Sequence, residues 1–560
     1  MTSSVTHLLD VPFEERQSAS WAGARWDATL RCWTWVGDDP LPAKLDKYAA
    51  QPGSWEWWQQ CNLNGDAGFI TAAPDAKTPV LRPHQREAVE KLRDAWTAGL
   101  PGFLLADEVG LGKTYSVLLG VEEMFENLNV LVLAPLSVVA HWRLSLLQTG
   151  SRNRWCVTNY ERAKKLLVEP ESSKTAVKTR TKNKRHSSQG TSKVEWDIVI
   201  CDEAHRLKNP VAQRSAAVRQ LTSTAPRARR WLPDGSFVIW MSATAGQNPL
   251  ELAYAAPLLS ATSGRPVRKL DEFDQWCRQM GIAVKKGAYG AWGWERNDAD
   301  LETMNKLLFE SSPPCALRRR PTDIAGWPSL VRQPFPVELN AHEMTLYEEA
   351  WEDFCVSVLE SKKKGKPSSS NALVAALRFR QKASLLRVEH SVRHVAELVE
   401  SGLQVAVSAA FIESADALRS GLEKKRIKVA SFDGRTSAAE RQDERLRFQQ
   451  DAAQVIIFTV TEGISLHACE EAVQGSATSR ALVVHDLRWS ALEIAQIEGR
   501  CHRDGQNAVA YHMFASATVE AKVASAVAAR LEDMATMLGD DTTGIDALTS
   551  AANDALALTS

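Results

Sequence analysis

Short apolar runs, each ending in polar or glycine-rich punctuation, recur in two blocks of this chain and constrain its fold more than any other feature. The first block holds Phe103–Ala106, Val130–Ala134, Ile198–Cys201 and Phe237–Met241. The second holds Val405–Ser408, Val429–Phe432, Val455–Phe458, Ala481–Val484 and Ala510–Phe514. Helical-length segments such as Tyr115–Asn127 lie between the runs. Continuously apolar strands alternating with helices predict parallel sheets covered on both faces. Ligands of such sheets bind outside the carboxyl ends of the strands. Between the blocks, residues 260–400 read as mostly helical, with proline joints at Pro313-Pro314 and Pro334–Pro336 and a polar linker from Lys362 to Pro367. The expected class is therefore α/β. Its expected parts are a small Trp-rich domain (1–80), a first lobe (81–260), a helical bridge (261–400), a second lobe (401–540) and a loose tail (541–560). A chain of 560 residues is too long for one ordinary core, which agrees with several domains.

Composition narrows the class further. The chain is 44% hydrophobic and 24% charged, and no stretch approaches the roughly 18 consecutive apolar residues of a membrane span. The first residues carry no basic flank followed by an apolar run, so no signal peptide is read. Nine cysteines without a Cys-x-x-Cys pair exclude the usual zinc spacings and fit an unbridged cytosolic protein. A net charge of −1 does not mark a nucleic-acid binder, but Lys174 to Lys193 holds seven Lys or Arg residues and no acid. That segment reads either as a solvated loop or as a tether to phosphates. Residues 1–80 contain seven of the 19 tryptophans, with a short strand expected over Cys32–Val36.

Four motifs carry chemistry. Phe103 to Thr114 reads FLLADEVGLGKT, a strand, a glycine-rich loop and a helix start. Gly110 and Gly112 let backbone N–H groups close around phosphates at the positive helix end. Lys113 then reaches the β- and γ-phosphates of ATP, and the Thr114 hydroxyl holds Mg²⁺. The strict pattern wants glycine where this chain has Asp107. Ile198 to His205 reads IVICDEAH, with Asp202 at a strand end for Mg²⁺ and Glu203 to polarise the attacking water. Trp240 to Asn248 reads WMSATAGQN, where Ser242 and Thr244 suit bonding to the Asp202–His205 loop. Gln496 to Gln506 reads QIEGRCHRDGQ, and Arg500 and Arg503, three apart, share a helix face. A pair of arginines aimed at a γ-phosphate acts as a catalytic finger.

Together these segments resemble the superfamily-two helicase-like motors, and within them the Swi/Snf family of DNA translocases. The resemblance runs from about Leu81 to Leu538 with the motifs in order. LRPHQ at Leu81–Gln85 resembles the adenine-reading segment, with Gln85 as its donor and acceptor. APLSVVAHW at Ala134–Trp142 and TNYE at Thr158–Glu161 resemble the first-lobe segments that touch DNA. LRRRPTD at Leu317–Asp323 and VELNAHEMTLYEE at Val337–Glu349 resemble the family's bridge. FDGRT at Phe432–Thr436, Arg441, HDLRWS at His485–Ser490 and Gln496 complete the second lobe. Ala243-Thr244-Ala245 departs from the family's Gly-Thr-Pro, and Thr461–Leu466 is a reduced form of its Gly-Gly loop.

The resemblance implies two tandem RecA-like lobes and a cytoplasmic, monomeric, ATP- and Mg²⁺-dependent motor on double-stranded DNA, as in bacterial or phage members. It implies translocation without ordinary strand separation; a fork-remodelling or annealing motor, an RNA-polymerase-recycling motor and a defence-system subunit are the alternatives. The amino-terminal stretch from Val11 to Trp33 is similar to a small uncharacterised module and offers a place for a protein partner. Its tryptophans read either as a tiny core or as stacking surfaces for bases.

Overall fold

The computed structural model describes residues 5–12, 15–37, 40–74, 76, 79–108, 110–168, 191–222, 235–243, 245–246, 248–267, 272–286, 292–295, 297–327, 330–363, 369–460, 465–468, 475–486, 488, 491–501, 508–522 and 524. Thr244, Arg503 and most of the basic 174–193 segment lie outside these residues, as does the tail. The chain divides into two compact units. One comprises Met1–Asp107 and Gly112–Arg318, the other Glu108–Leu111 and Arg319–Ser560.

The first unit opens with a three-stranded antiparallel sheet. It is made of β1 (Val5–Leu9), β2 (Arg25–Asp27) and β3 (Cys32–Gly37), with α1 (Arg16–Trp21) between the first two. Leu9, Val11, Ala19, Ala24, Leu45 and Tyr48 form its core, with Trp33 and Trp35 packed against them. Helix α2 (Trp55–Asn64) starts where the Ser54 hydroxyl accepts a hydrogen bond from the Trp57 N–H. Trp55 and Trp58 are buried and stacked, and Trp58 also meets Trp196. Most of the N-terminal tryptophans thus serve packing, whereas Trp21 and Trp26 remain exposed. The segment is fastened to the rest of its unit by Asp10, which pairs with Arg162 at 2.6 Å and Arg143 at 3.8 Å. The Gly53 carbonyl accepts a hydrogen bond from the Val157 N–H.

The remainder of this unit is a six-stranded parallel sheet. In chain order come α3 (Pro83–Thr97), β4 (Gly102–Leu105), α4 (Lys113–Met124), β5 (Asn129–Ala134), α5 (Leu136–Thr149), β6 (Arg154–Asn159), β7 (Ile198–Asp202), β8 (Phe237–Met241) and β9 (Ala316–Leu317). The spatial order is β9-β4-β8-β7-β5-β6, every pair parallel. Strands β4, β7 and β8 are buried along their whole length, as continuous apolar runs require in a sheet covered on both faces.

The second unit holds another six-stranded parallel sheet. Its elements are β10 (Leu330–Val337), α6 (Ala341–Lys363), α7 (Ser369–Leu386), α8 (Val388–Glu400), β11 (Gln404–Ser408), β12 (Val429–Phe432), β13 (Val455–Phe458), β14 (Arg480–Val484), α9 (Ala491–Cys501) and β15 (Ala508–Ala515). The order is β10-β15-β14-β11-β13-β12. Where one helical bridge over 261–400 is expected, the structure divides that segment at Arg318 and draws a strand from it into each sheet. Strand β10 escapes a sequence reading because Pro334 and Pro336 lack N–H donors. It is an edge strand, and two prolines two apart both turn their nitrogens to the unpaired side.

Candidate nucleotide site

The registers bring three chain crossings together. Met241 of β8 stands beside Leu105 of β4 and Asp202 of β7. The glycine-rich loop, the Asp202-Glu203 pair and Ser242 therefore leave the same carboxyl edge of the sheet. Gly110 (φ 98°) and Gly112 (φ 76°) adopt the left-handed backbone that glycine tolerates. A Cβ at Gly112 would fall 2.3 Å from Gln85 Nε2. Gln85 is buried; its Nε2 donates to the Gly112 carbonyl at 3.3 Å and its Oε1 accepts from the Arg82 N–H at 2.9 Å. Thus the residue expected to read adenine braces the glycine-rich loop.

Lys113 opens α4, and its Nζ donates to the Asp107 carbonyl at 2.7 Å. Burial lowers its pKa, while Glu203, Asp107 and Asp202 oppose the shift. Thr114 follows it in the first turn, half-buried. Asp202 is buried at the end of β7, and burial together with the Glu203 charge pushes its pKa up to about 6. Trp142 Nε1 donates to Asp202 Oδ2 at 2.7 Å, and the Glu203 N–H donates to Oδ1 at 2.9 Å. A divalent cation would relieve the crowding of these two carboxylates, so the residues present fit Mg²⁺.

Glu203 turns through φ 51°, ψ 52°, a conformation that costs a non-glycine residue about 1–2 kcal/mol. Its Oε2 lies 3.3 Å from His205 Nδ1, which is 3.1 Å from Ser242 Oγ. The Ser242 N–H donates to the Leu105 carbonyl at 3.2 Å. A chain of contacts thus runs from the Glu203 carboxylate through His205 and Ser242 back to the strand that precedes the glycine-rich loop. Sequence reasoning missed Arg318, whose Nη1 donates to the Ala106 carbonyl at 2.9 Å and the Ala243 carbonyl at 2.7 Å. Only the arginine run around it hinted at a role.

In the second unit α9 carries Gln496, Glu498 and Arg500, all buried. The Arg500 carbonyl accepts a hydrogen bond from the Leu466 N–H at 2.8 Å. Helix α9 ends at Cys501, and Arg503, expected on one helix face with Arg500, lies outside the described residues. His485 is fully buried against Ser384 and Ser391, and burial pulls its pKa down to about 4. Arg387 pairs with Asp486 at 2.8 Å and also with Glu520.

Residues 84–386 match the SNF2-related domain. Residues 415–556 match the C-terminal domain on Strawberry notch homologue, and residues 7–49 match a domain of unknown function (DUF5710). An uncharacterized ATP-dependent helicase, YqhH, of Bacillus subtilis is 22% identical over 87% of this chain and 86% of its own length. An uncharacterized ATP-dependent helicase of Mycoplasma pneumoniae is 24% identical over 86% of this chain and 44% of its own length. The chain thus spans less than half of that relative. Among solved structures, the Sulfolobus solfataricus SWI2/SNF2 ATPase core domain matches at 18% identity with a TM-score of 0.33, covering 80% of this chain and 88% of that one.

Proposed function

The chain belongs to the family of proteins built on an SNF2-related domain, and from that premise we propose that it hydrolyses ATP to translocate on double-stranded DNA and displace or remodel what is bound there, without ordinary strand separation. One observation supports this reading most: the glycine-rich loop with Lys113, the Asp202-Glu203 pair and the Ser242 loop share one carboxyl edge of the first parallel sheet. Phosphoryl transfer needs little covalent help, and placing charges around the γ-phosphate does most of the work.

Each residue has a part in this reading. The N–H groups around Gly110 and Gly112 cradle the phosphates, and Gln85 holds the loop in shape while offering its amide to adenine. Phosphate binding restores the charge that burial disfavours on Lys113. Thr114 and Asp202 hold Mg²⁺, whose charge neutralises the phosphate oxygens. Glu203 orients the attacking water. His205, Ser242 and Thr244 carry the state of the nucleotide to the rest of the lobe. Arg500 and Arg503 supply the arginine charge that hydrolysis requires, and Gln496, on the same segment, contributes to binding ATP.

DNA enters this reading through phosphate contacts, so translocation is indifferent to sequence and weakens with salt. The test compares ATP turnover with duplex DNA, single-stranded DNA and RNA. Duplex DNA is expected to stimulate most, and the protein to displace the third strand of a triplex. Efficient opening of a plain forked duplex would replace this reading with that of a strand-separating helicase.

A further inference from the structure

Strands β4 and β8 pair as far as Leu105 and Met241, and the Ser242 N–H donates to the Leu105 carbonyl just beyond. There the two chains part, one into the glycine-rich loop and the other into the Ser242 loop. Arg318 closes the split. It follows edge strand β9, whose Leu317 carbonyl accepts from the Ala106 N–H at 2.7 Å. From that edge its side chain reaches past β4 to the end of β8. Its Nη1 donates to the Ala106 carbonyl at 2.9 Å and to the Ala243 carbonyl at 2.7 Å. The N–H groups of a guanidinium lie in one rigid plane, so a single nitrogen here sets the separation of carbonyls from two different strands. Main-chain carbonyls cannot turn away from that nitrogen without moving their loops.

Each carbonyl begins a chain of contacts that ends on a residue of the chemistry. Ala106 precedes Asp107, whose carbonyl accepts from Lys113 Nζ at 2.7 Å. Ala243 follows Ser242, whose Oγ lies 3.1 Å from His205 Nδ1. The same nitrogen lies 3.3 Å from Glu203 Oε2. Burial lowers the Lys113 pKa most and the Arg318 charge adds to that shift, so the two cations share one neighbourhood.

We propose that Arg318 is a positioning residue for ATP hydrolysis: by spanning the Ala106 and Ala243 carbonyls it fixes how far Lys113, which meets the phosphates, stands from Glu203, which orients the water. It touches neither the phosphates nor the water and acts only through the two loops. This deepens the nucleotide-site reading above and rests on the roles of Lys113 and Glu203 in it.

Arg318→Met removes the donors and keeps an unbranched stem, whereas Arg318→Lys keeps the charge and loses the planar fork. Each full-length variant is read for melting temperature, affinity for a fluorescent ATP analogue and saturated turnover, alone and combined with Ser242→Ala. Arg318→Met is expected to lower saturated turnover about 100-fold, the scale of a displacement of about 1 Å at a reacting centre, with ATP affinity within about threefold of wild type. Arg318→Lys is expected to recover no more than about tenfold of that loss. Ser242→Ala should cost little further turnover in the Arg318→Met background, because the link it belongs to is already broken. A fall in ATP affinity that matches the fall in turnover would make Arg318 a direct phosphate ligand and overturn the positioning role. So would near-normal turnover in Arg318→Met, or an undiminished cost of Ser242→Ala in its background. If the methionine variant does not fold, Arg318→Lys decides by the same measurements, and wild-type turnover in it overturns the proposal. Full turnover in both Lys113→Ala and Glu203→Gln would remove the site reading itself. With those two variants inactive, an active Arg318→Met removes the clamp alone.

Discussion

Arg332 and Glu498 form a two-pronged ion pair, with Arg332 Nε 2.9 Å from Glu498 Oε1 and Nη2 2.9 Å from Oε2. His512 Nε2 adds a third contact to Oε1 at 3.0 Å. The carboxylate is buried in α9 and the guanidinium stands on edge strand β10. Burial alone would raise the Glu498 pKa. The Arg332 charge and His512 overcome it and hold the group at about 2, below the ordinary 4.5.

Glu498→Gln should therefore destabilise the second unit by about 3–5 kcal/mol, the range for breaking one partner of a buried pair. A depressed carboxylate pKa contributes stability that is present above about pH 4.5 and lost as pH falls toward about 2. Calorimetric melting of wild type and variant should show their gap narrowing across that window. A gap independent of pH would assign the loss to packing rather than charge.

Lys113→Ala and Glu203→Gln should both abolish turnover by different routes. The lysine change weakens ATP binding, whereas the glutamate change leaves ATP bound and unhydrolysed. Equilibrium binding of labelled ATP beside steady-state turnover separates the two. Near-normal turnover in Glu203→Gln would end the water-orienting assignment.

Gly112→Ala meets two obstacles, a left-handed backbone and a Cβ 2.3 Å from Gln85 Nε2. Nucleotide affinity should fall at least about tenfold, since the new methyl evicts the glutamine that shapes the loop. Gln85→Ala combined with Gly112→Ala relieves the collision but not the backbone strain. Its affinity should not exceed that of Gln85→Ala alone, and titration with a fluorescent ATP analogue checks the order.

Arg503→Ala should lower saturated, DNA-stimulated turnover by about 10³-fold while leaving ATP affinity nearly unchanged, as for an arginine that acts in the transition state. Lysine at that position should restore little, because it lacks the planar fork. Parallel measurement of the ATP dissociation constant and turnover for Arg503→Ala and Arg500→Ala shows which arginine dominates.

Much of the sheet architecture was legible because buried parallel strands are apolar throughout. Phe237–Met241, Val429–Phe432 and Val455–Phe458 coincide with strands residue for residue. Strand β9 was not legible, because two residues carry no periodicity. Strand β10 was hidden by prolines that only an edge position permits. The positions of the glycine-rich loop, Asp202, Glu203, His205 and Ser242 at or just past strand ends were legible, because the apolar runs before them mark where β4, β7 and β8 stop. Arg318 was not, since it acts through two backbone carbonyls, and nothing in a sequence marks which carbonyls will face an arginine. Nor was the bond from Trp142 to Asp202, which joins residues 60 apart in the chain.

The bond from the Val157 N–H to the Gly53 carbonyl has a consequence for solubility. Strand β6 is the outermost strand of its sheet, and a bare edge of that kind invites a strand from another molecule. The linker around Gly53 occupies that donor, Arg143 Nη2 donates to the Val157 carbonyl at 3.1 Å, and the pairing of Asp10 with Arg143 and Arg162 fastens the cover in place. Removing the first 80 residues would uncover a hydrogen-bonding edge along with the apolar core to which Ile70 and Trp57 contribute, so a truncated chain should clump rather than merely lose an accessory.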